Sequence, residues 1–334
     1  MSLVEELGER KIIDLILECL DQMPKMPVPF GDDVSAIDIG RKKLAVIKTD
    51  MLVGKTDVPK GMSLWHAARK AVVMNISDLA AKGVQPLALL AAIGIPRGLS
   101  KKDIQQIGKG LNAGAREYNA YVLGGDTNEA SDLVISCAVL GICQKRQIIK
   151  RSGAKPSDYV AVTGFFGKTA AGLKILMEKF SAPPEIRKEL VNSVLMPNTR
   201  LREGLALAQN RAATASIDSS DGLAWSIHEI SRASNVGFLI DSLPIAQEAE
   251  KFAKMHGLDP IELTLYGGEE YELVVTIQPK LWQDAKKAVE KVGGTLIKIG
   301  QVTKEKTLLF KTLGKTVYIE ARGWEHFKQR KSEA

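Results

Sequence analysis

The stretch LALLAAIGIPRGLSKKDIQQIGKGLNAGAREYNAYVLGGDT, residues 87–127, decides the fold. Residues 87–95 form a nearly continuous apolar run closed by Pro96, the pattern of a buried strand. From about Ser100 to Tyr118 apolar residues recur at helical spacing. Residues 120–123 then return to a short apolar strand that runs into Gly124-Gly125-Asp126-Thr127. A strand, a helix and a strand ending on glycines and an acid make up the repeating unit of an α/β protein.

Working outward, residues 44–49 read as a strand ending at Asp50, and 63–82 as a helix with Ser63 as N-cap and Gly83 as its stop. Residues 133–142 supply another strand. Residues 3–20 predict an amphipathic helix, and the proline-bearing segment 22–31 predicts an extended loop delivering Asp32 and Asp33. Segment 144–158 is basic and broken by Gly153 and Pro156, so it is the expected boundary between domains 1–145 and 146–334. The second half predicts strand 159–163, helices 167–180 and 199–210, strand 213–217, helix 221–234 and strand 236–241. Strand 271–277, helix 279–292 and short strands near 296–301, 306–311 and 315–320 follow. The expected class is α/β (α+β) in two domains.

Composition excludes several functions. The 334 residues are 45% hydrophobic and 25% charged, as in ordinary globular proteins, and the length favours two domains. Only 5% are aromatic, too few for a platform that stacks single-stranded nucleic acid. The net charge of +7 resides partly in Lys145-Arg146, Lys150-Arg151 and the tail at 328–331, which read as solvated faces. Its milder functional reading is attraction for phosphorylated small molecules. Three cysteines without a CxxC pair predict reduced, buried thiols in a cytoplasmic protein, and four scattered histidines argue against zinc. No leader pattern and no apolar run of 18 residues is present, so neither secretion nor a membrane span is expected.

The chemistry is carried by acids set in short Gly/Ser/Thr/Asn motifs: Asp33, Asp50, Asp78, Asp126, Asp218 and Asp221. Such motifs at several strand ends can converge into hard oxygen ligands for Mg²⁺ carrying phosphates. Each also has a plainer reading. Gly124 to Thr127 would make a tight turn with Asp126 as a cap, and Ser220 or Asp221 would cap helix 221–234. Asp78 lies near a helix C-terminus, where the macrodipole disfavours a carboxylate; a bound cation or exposure to water would offset that cost. Gly164 to Thr169 imitates a phosphate-binding loop, but the required first glycine is Val162.

In order, Gly31-Asp32-Asp33, Thr49-Asp50, Asn75 to Ala81, Gly124 to Thr127, Arg151 to Pro156, Thr163-Gly164, Asp218 to Leu223, Gly267 to Leu273 and Gly323-Trp324-Glu325-His326-Phe327 span nearly the whole chain. This series resembles the thiamine-monophosphate kinase family, in the superfamily of aminoimidazole-ribonucleotide synthetase. The resemblance implies that superfamily's two-domain fold: an N-terminal mixed sheet with helices, which dimerises, and a C-terminal α/β sandwich that completes the site. It also implies a homodimer that uses ATP and Mg²⁺ to phosphorylate thiamine monophosphate to thiamine diphosphate. By the same resemblance Asp33, Thr49, Asp50, Asp78, Asp126, Asp218 and Asp221 ligate metal. Gly125, Asp126, Arg151 and Ser220 contact ATP, while Asp57, Glu269 and Trp324 occupy acceptor positions. Asp78, Asp126 and Arg151 carry the catalytic role. Three positions depart from the family's pattern: Asp57 stands where a histidine is common, Lys48 where a small hydroxyl residue is common, and Glu270 where aspartate is commoner. The same residues would serve an ATP-using relative with another acceptor, or a nucleotide-binding protein without turnover.

Overall fold

A computed structural model describes residues 4–312 and 314–327, so Leu3 and the basic tail at 328–331 lie outside the described residues. The first half runs α1 (Val4–Leu7), α2 (Glu9–Leu17), β1 (Ser35–Asp38), β2 (Lys43–Val53), α3 (Gly54–Asp57), α4 (Leu64–Ala81), β3 (Pro86–Ile95), α5 (Lys101–Glu117), β4 (Tyr121–Glu129) and β5 (Val134–Gln144). Its five strands form one sheet in the order β1-β2-β5-β3-β4, antiparallel except for the β3–β4 pair. The second half runs β6 (Tyr159–Val162), α6 (Lys168–Met177), α7 (Pro184–Leu195), α8 (Leu201–Gln209), β7 (Ala213–Asp218), α9 (Leu223–Ser234) and β8 (Gly237–Ile240). It continues with α10 (Gln247–His256), α11 (Pro260–Tyr266), β9 (Leu273–Ile277), α12 (Trp282–Lys291), β10 (Ile297–Thr303), β11 (Leu308–Thr312) and β12 (Lys315–Tyr318). These strands build a seven-stranded mixed sheet in the order β12-β11-β8-β10-β6-β9-β7.

Local chemistry explains most boundaries. The Ser63 hydroxyl accepts from the His66 amide at the start of α4, and Ser100 and Asp103 cap α5 reciprocally. Four expectations need correction. Strand β2 continues through Asp50 to Val53, because its ladder with β5 persists to Val134. Gly124 to Thr127 do not turn but lie inside β4, held extended by a parallel ladder to β3 that reaches Glu129. The helix expected over 3–20 is broken at Gly8, whose φ is 72°. Helix α9 begins at Leu223 behind Gly222, φ 112°, with no side-chain cap, so neither Ser220 nor Asp221 is spent on capping. Helices α7, α10 and α11 were not anticipated.

Helix α4 joins the two halves. It packs on β2 and β5 on one side and on β7 and α8 on the other, which is why it is buried nearly all round rather than along one stripe. Small residues make this possible. A Cβ on Gly204 of α8 would fall 1.9 Å from the Ala80 carbonyl oxygen, and one on Gly110 of α5 would fall 2.2 Å from that of Trp65. One apolar cluster accordingly runs from Leu44 and Val46 through Ile76 and Leu79 to Leu207 and Val275. Cys137 and Cys143 are buried as expected, but Cys19 is exposed, because α2 buries none of its own residues and the chain after it stays at the surface. Among the described residues no helix is long and apolar enough to cross a membrane.

Candidate active site

Successive side chains of β2 alternate between faces, and this sorts the acids. Lys48 and Asp50 face α4, alongside buried Leu44, Val46 and Leu52; Thr49 and Met51 face the opposite way. On the α4 side, Asp33, Asp78 and Asp218 each place an oxygen within 4.8 Å of the others, and all three residues are buried. They come from the loop before β1, the last turns of α4 and the end of β7. Ser77 ties two of these elements together by donating to Asp218 Oδ2 at 2.7 Å.

Asp78 is only 6% exposed, so water does not offset its position at the helix end. The positive charge comes from a neighbouring strand: Lys48 Nζ lies 3.1 Å from Asp78 Oδ2. Burial still pushes the Asp78 carboxyl well above its ordinary range against the pull of Lys48, and Asp218, Asp33 and Asp50 add to the rise. Burial likewise raises Asp218 to about 6, with Asp33 adding to the effect. Asp33 goes the other way. Burial would raise it, but Arg151 and Lys82 hold it below the usual carboxylate range. Arg151 Nε donates to Asp33 Oδ1 at 2.5 Å and Nη1 to the Gly31 carbonyl at 2.8 Å, while the Arg151 amide donates to Asp32 at 3.0 Å. Fully buried Lys82 reaches Asp32, Asp33 and the Ser216 carbonyl at 2.7, 2.6 and 2.7 Å.

Three loops of the second half form the other wall, joined main chain to main chain. The Glu269 amide donates to the Ser220 carbonyl at 2.6 Å, that of Tyr271 to Ser219 at 2.9 Å, and that of Trp324 to Asp221 at 3.0 Å. Glycines permit the approach: a Cβ on Gly268 would fall 2.7 Å from the Ser220 carbonyl oxygen, and one on Gly323 2.2 Å from that of Asp221. The result is a polar cavity of about 310 Å³. Lys48, Asp50, Asp57, Asp78, Arg151, Asp218, Ser220, Asp221, Glu269 and Trp324 all line it. Burial, with Glu9 adding, pushes the Asp221 carboxyl up to about 7, although Arg10 of α2 opposes the rise. Arg10 lies over the Trp225 ring at 3.5 Å and donates to Glu229 at 2.6 Å.

Thr49, Gly125 and Asp126 lie elsewhere. Through the ladder Met51–Ser136–Ala92–Asp126, Asp126 falls on the outer face of the sheet, on exposed edge strand β4. Thr49 shares that face, and its hydroxyl donates to the Cys137 carbonyl at 3.1 Å. A Cβ on Gly125 would meet the Ala91 carbonyl oxygen at 1.8 Å, so strand packing alone demands glycine there. The Asp57 carboxylate accepts from the Val53 amide at 2.7 Å, closing the single turn of α3. Sequence reasoning missed Lys70, which is buried, donates to the Asp57 carbonyl at 3.0 Å and pairs with Glu269. It also missed Lys82. The available signal was a cation within the Ala-rich buried helix at Lys70 and another at its C-cap, Lys82.

Residues 31–143 match the family model for the N-terminal domain of AIR synthase related proteins, and residues 155–310 match that for the C-terminal domain. A thiamine-monophosphate kinase of Pyrococcus horikoshii is 35% identical over 325 residues, covering 97% of both chains. The chain belongs to the thiamine-monophosphate kinase family. The corresponding enzyme of Nitrosopumilus maritimus is 35% identical over 287 residues, 86% of this chain and 90% of that one. A solved structure described as AaThiL complexed with AMPPCP and TMP superposes with a TM-score of 0.86 at 26% identity, covering 98% of this chain and 99% of that one. The two-domain α/β architecture expected from the sequence is therefore that of this kinase family.

Proposed function

We propose that this kinase-family chain transfers the γ-phosphoryl group of ATP to thiamine monophosphate, giving thiamine diphosphate and ADP. The observation that carries the reading is the convergence of Asp33, Asp78 and Asp218 beside a cavity that Arg151, Ser220, Glu269 and Trp324 also line. It is supported by the relatives' activity and by the ATP analogue and TMP held in the structural neighbour. The acceptor is an ionised phosphate oxygen, so no general base is needed. That oxygen bonds to the γ-phosphorus as the bond to the β,γ-bridging oxygen breaks, with no phosphoenzyme between. The principal barrier is repulsion between two polyanions, which in-line positioning and positive charge offset. Arg151 supplies fixed positive charge at the cavity wall, and Trp324 offers an aromatic face suited to a cationic heterocycle.

The donor set fits Mg²⁺. Three clustered carboxylates are hard oxygen ligands, and burial, with neighbouring carboxylates adding, raises Asp78 and Asp218, a cost to their charged forms that a bound cation would relieve. Buried Asn75 Oδ1 and Ser219 Oγ, next to the cluster in sequence, have no hydrogen-bond partner among the described residues. Magnesium held by Asp33, Asp50, Asp78, Asp218 and Asp221 would supply charge neutralisation at the transferring phosphoryl group.

We read residues 1–145 as the ATP/Mg-binding and dimerising domain and 146–334 as the domain completing the site. Three unpaired cysteines suit a cytoplasmic enzyme. The outer face of the first sheet carries exposed Ile47, Leu90 and Leu123 around an apolar hollow of about 710 Å³. A second copy docked there would cover this apolar surface and enclose Thr49 and Asp126, which is how those two residues would join the site. Product analysis with ATP, Mg²⁺ and a panel of phosphorylated acceptors tests the function. Thiamine diphosphate as the preferred product supports it; turnover confined to another acceptor, or ATP binding without turnover, refutes it.

A further inference from the structure

The acidic centre already contains three cations, and they are engaged to different degrees. Lys82 is fully buried, donates to the Ser216 carbonyl and forms ion pairs with both Asp32 and Asp33. Arg151 is committed to Asp33, the Gly31 carbonyl and Glu229. Lys48 differs from both. Its single ion pair among the described residues is with Asp78, at 3.1 Å, and 22% of its side chain is open where it lines the cavity. It projects from the same face of β2 as Asp50, two residues on, so its ammonium stands among carboxylates with donors to spare.

We propose that Lys48 is a resident cation of this centre, taking a position that a divalent ion would otherwise fill, so that the loaded chain holds one ion fewer than it would with an uncharged residue at 48. The inference rests on reading this cavity as the nucleotide and metal site. An ammonium at hydrogen-bond distance from Asp78 Oδ2 engages the oxygen that a metal would use and repels a second cation placed beside it. Lys82 and Arg151 already answer Asp33, and the one charge of Lys48 cannot balance Asp50, Asp78 and Asp218 together, so sites for divalent ions remain. The tethered charge also keeps Asp78 from standing as an unpaired buried acid in the metal-free centre.

The test is to count bound Mn²⁺ per chain by the paramagnetic resonance of the free ion, in the presence of a non-hydrolysable ATP analogue. Wild type is compared with Lys48→Ser, Lys48→Gln and Lys48→Arg. Both uncharged variants are expected to bind one more Mn²⁺ per chain than wild type, and Lys48→Arg to keep the wild-type count. Without metal, the uncharged variants are expected to melt several degrees lower, with a larger recovery on adding Mn²⁺. Equal counts in wild type and both uncharged variants overturn the proposal and leave the site reading intact. A wild-type protein that binds no Mn²⁺ overturns both.

Discussion

Asp78 shows how one residue can be read correctly as unusual and still be explained by a partner the sequence does not place. Its position at the end of α4 flagged a missing positive charge, and Lys48 supplies it from a strand 30 residues earlier. Pairings of this kind depend on how a strand lies against a helix, which no local spacing encodes. Asp78→Asn and Asp126→Asn should each lower turnover by roughly a hundredfold or more, as expected when a charge-stabilising group is lost, with steady-state kinetics as the check. Near-wild-type rates in either variant would remove that residue from the catalytic set. Glu270 gives a test in pH. Burial pushes its carboxyl up to about 7, although the Thr169 and Gly167 amides donate to it. The native state therefore binds this proton more tightly than the unfolded chain, whose ordinary value is 4.5. Its contribution to stability is greatest at acidic pH and declines as pH rises through the interval between those values. Glu270→Gln should gain stability relative to wild type between pH 4 and pH 8, read by urea unfolding at both; an unchanged gap would show that Glu270 ionises normally.

At the level of elements, α4 and α5 were legible because their capping residues and apolar periodicity agree. Helix α7 was not, since it opens on Pro184, which reads as a break although proline is tolerated in the first turn. The glycine pair in β4 was legible as a motif but not as a strand, because the constraint on Gly125 is the Ala91 carbonyl of β3, a neighbour in space. Helix packing yields a paired prediction. Gly204→Val should lower stability by roughly 1–3 kcal/mol, because any Cβ there collides with the backbone of α4. Gly108→Ala in α5 meets nothing within 4 Å and should raise stability by up to about 1 kcal/mol through helix propensity. Thermal unfolding of both variants checks this, and a tolerated Gly204→Val would mean that α8 can move off α4 freely.

Across the whole molecule, the first sheet has two faces of different character: one packs on α4 beside the buried acids, while the other carries Thr49, Asp126 and exposed apolar side chains. If that outer face seats a second copy, light scattering should give twice the chain mass. Leu90→Glu with Leu123→Glu should then give monomers with sharply reduced turnover; a fully active monomer would exclude the shared site. The ordered series of motifs made the two-part architecture legible, but the sorting of acids by sheet face follows from register and emerges only when the strands are paired. The other wall has a consequence of its own. Because Ser219, Ser220 and Asp221 are joined to Tyr271, Glu269 and Trp324 through amides and carbonyls, the links between these loops do not depend on which side chains they carry. Substitution at Ser220 or Trp324, which line the cavity, should therefore change its chemistry without unlinking the loops.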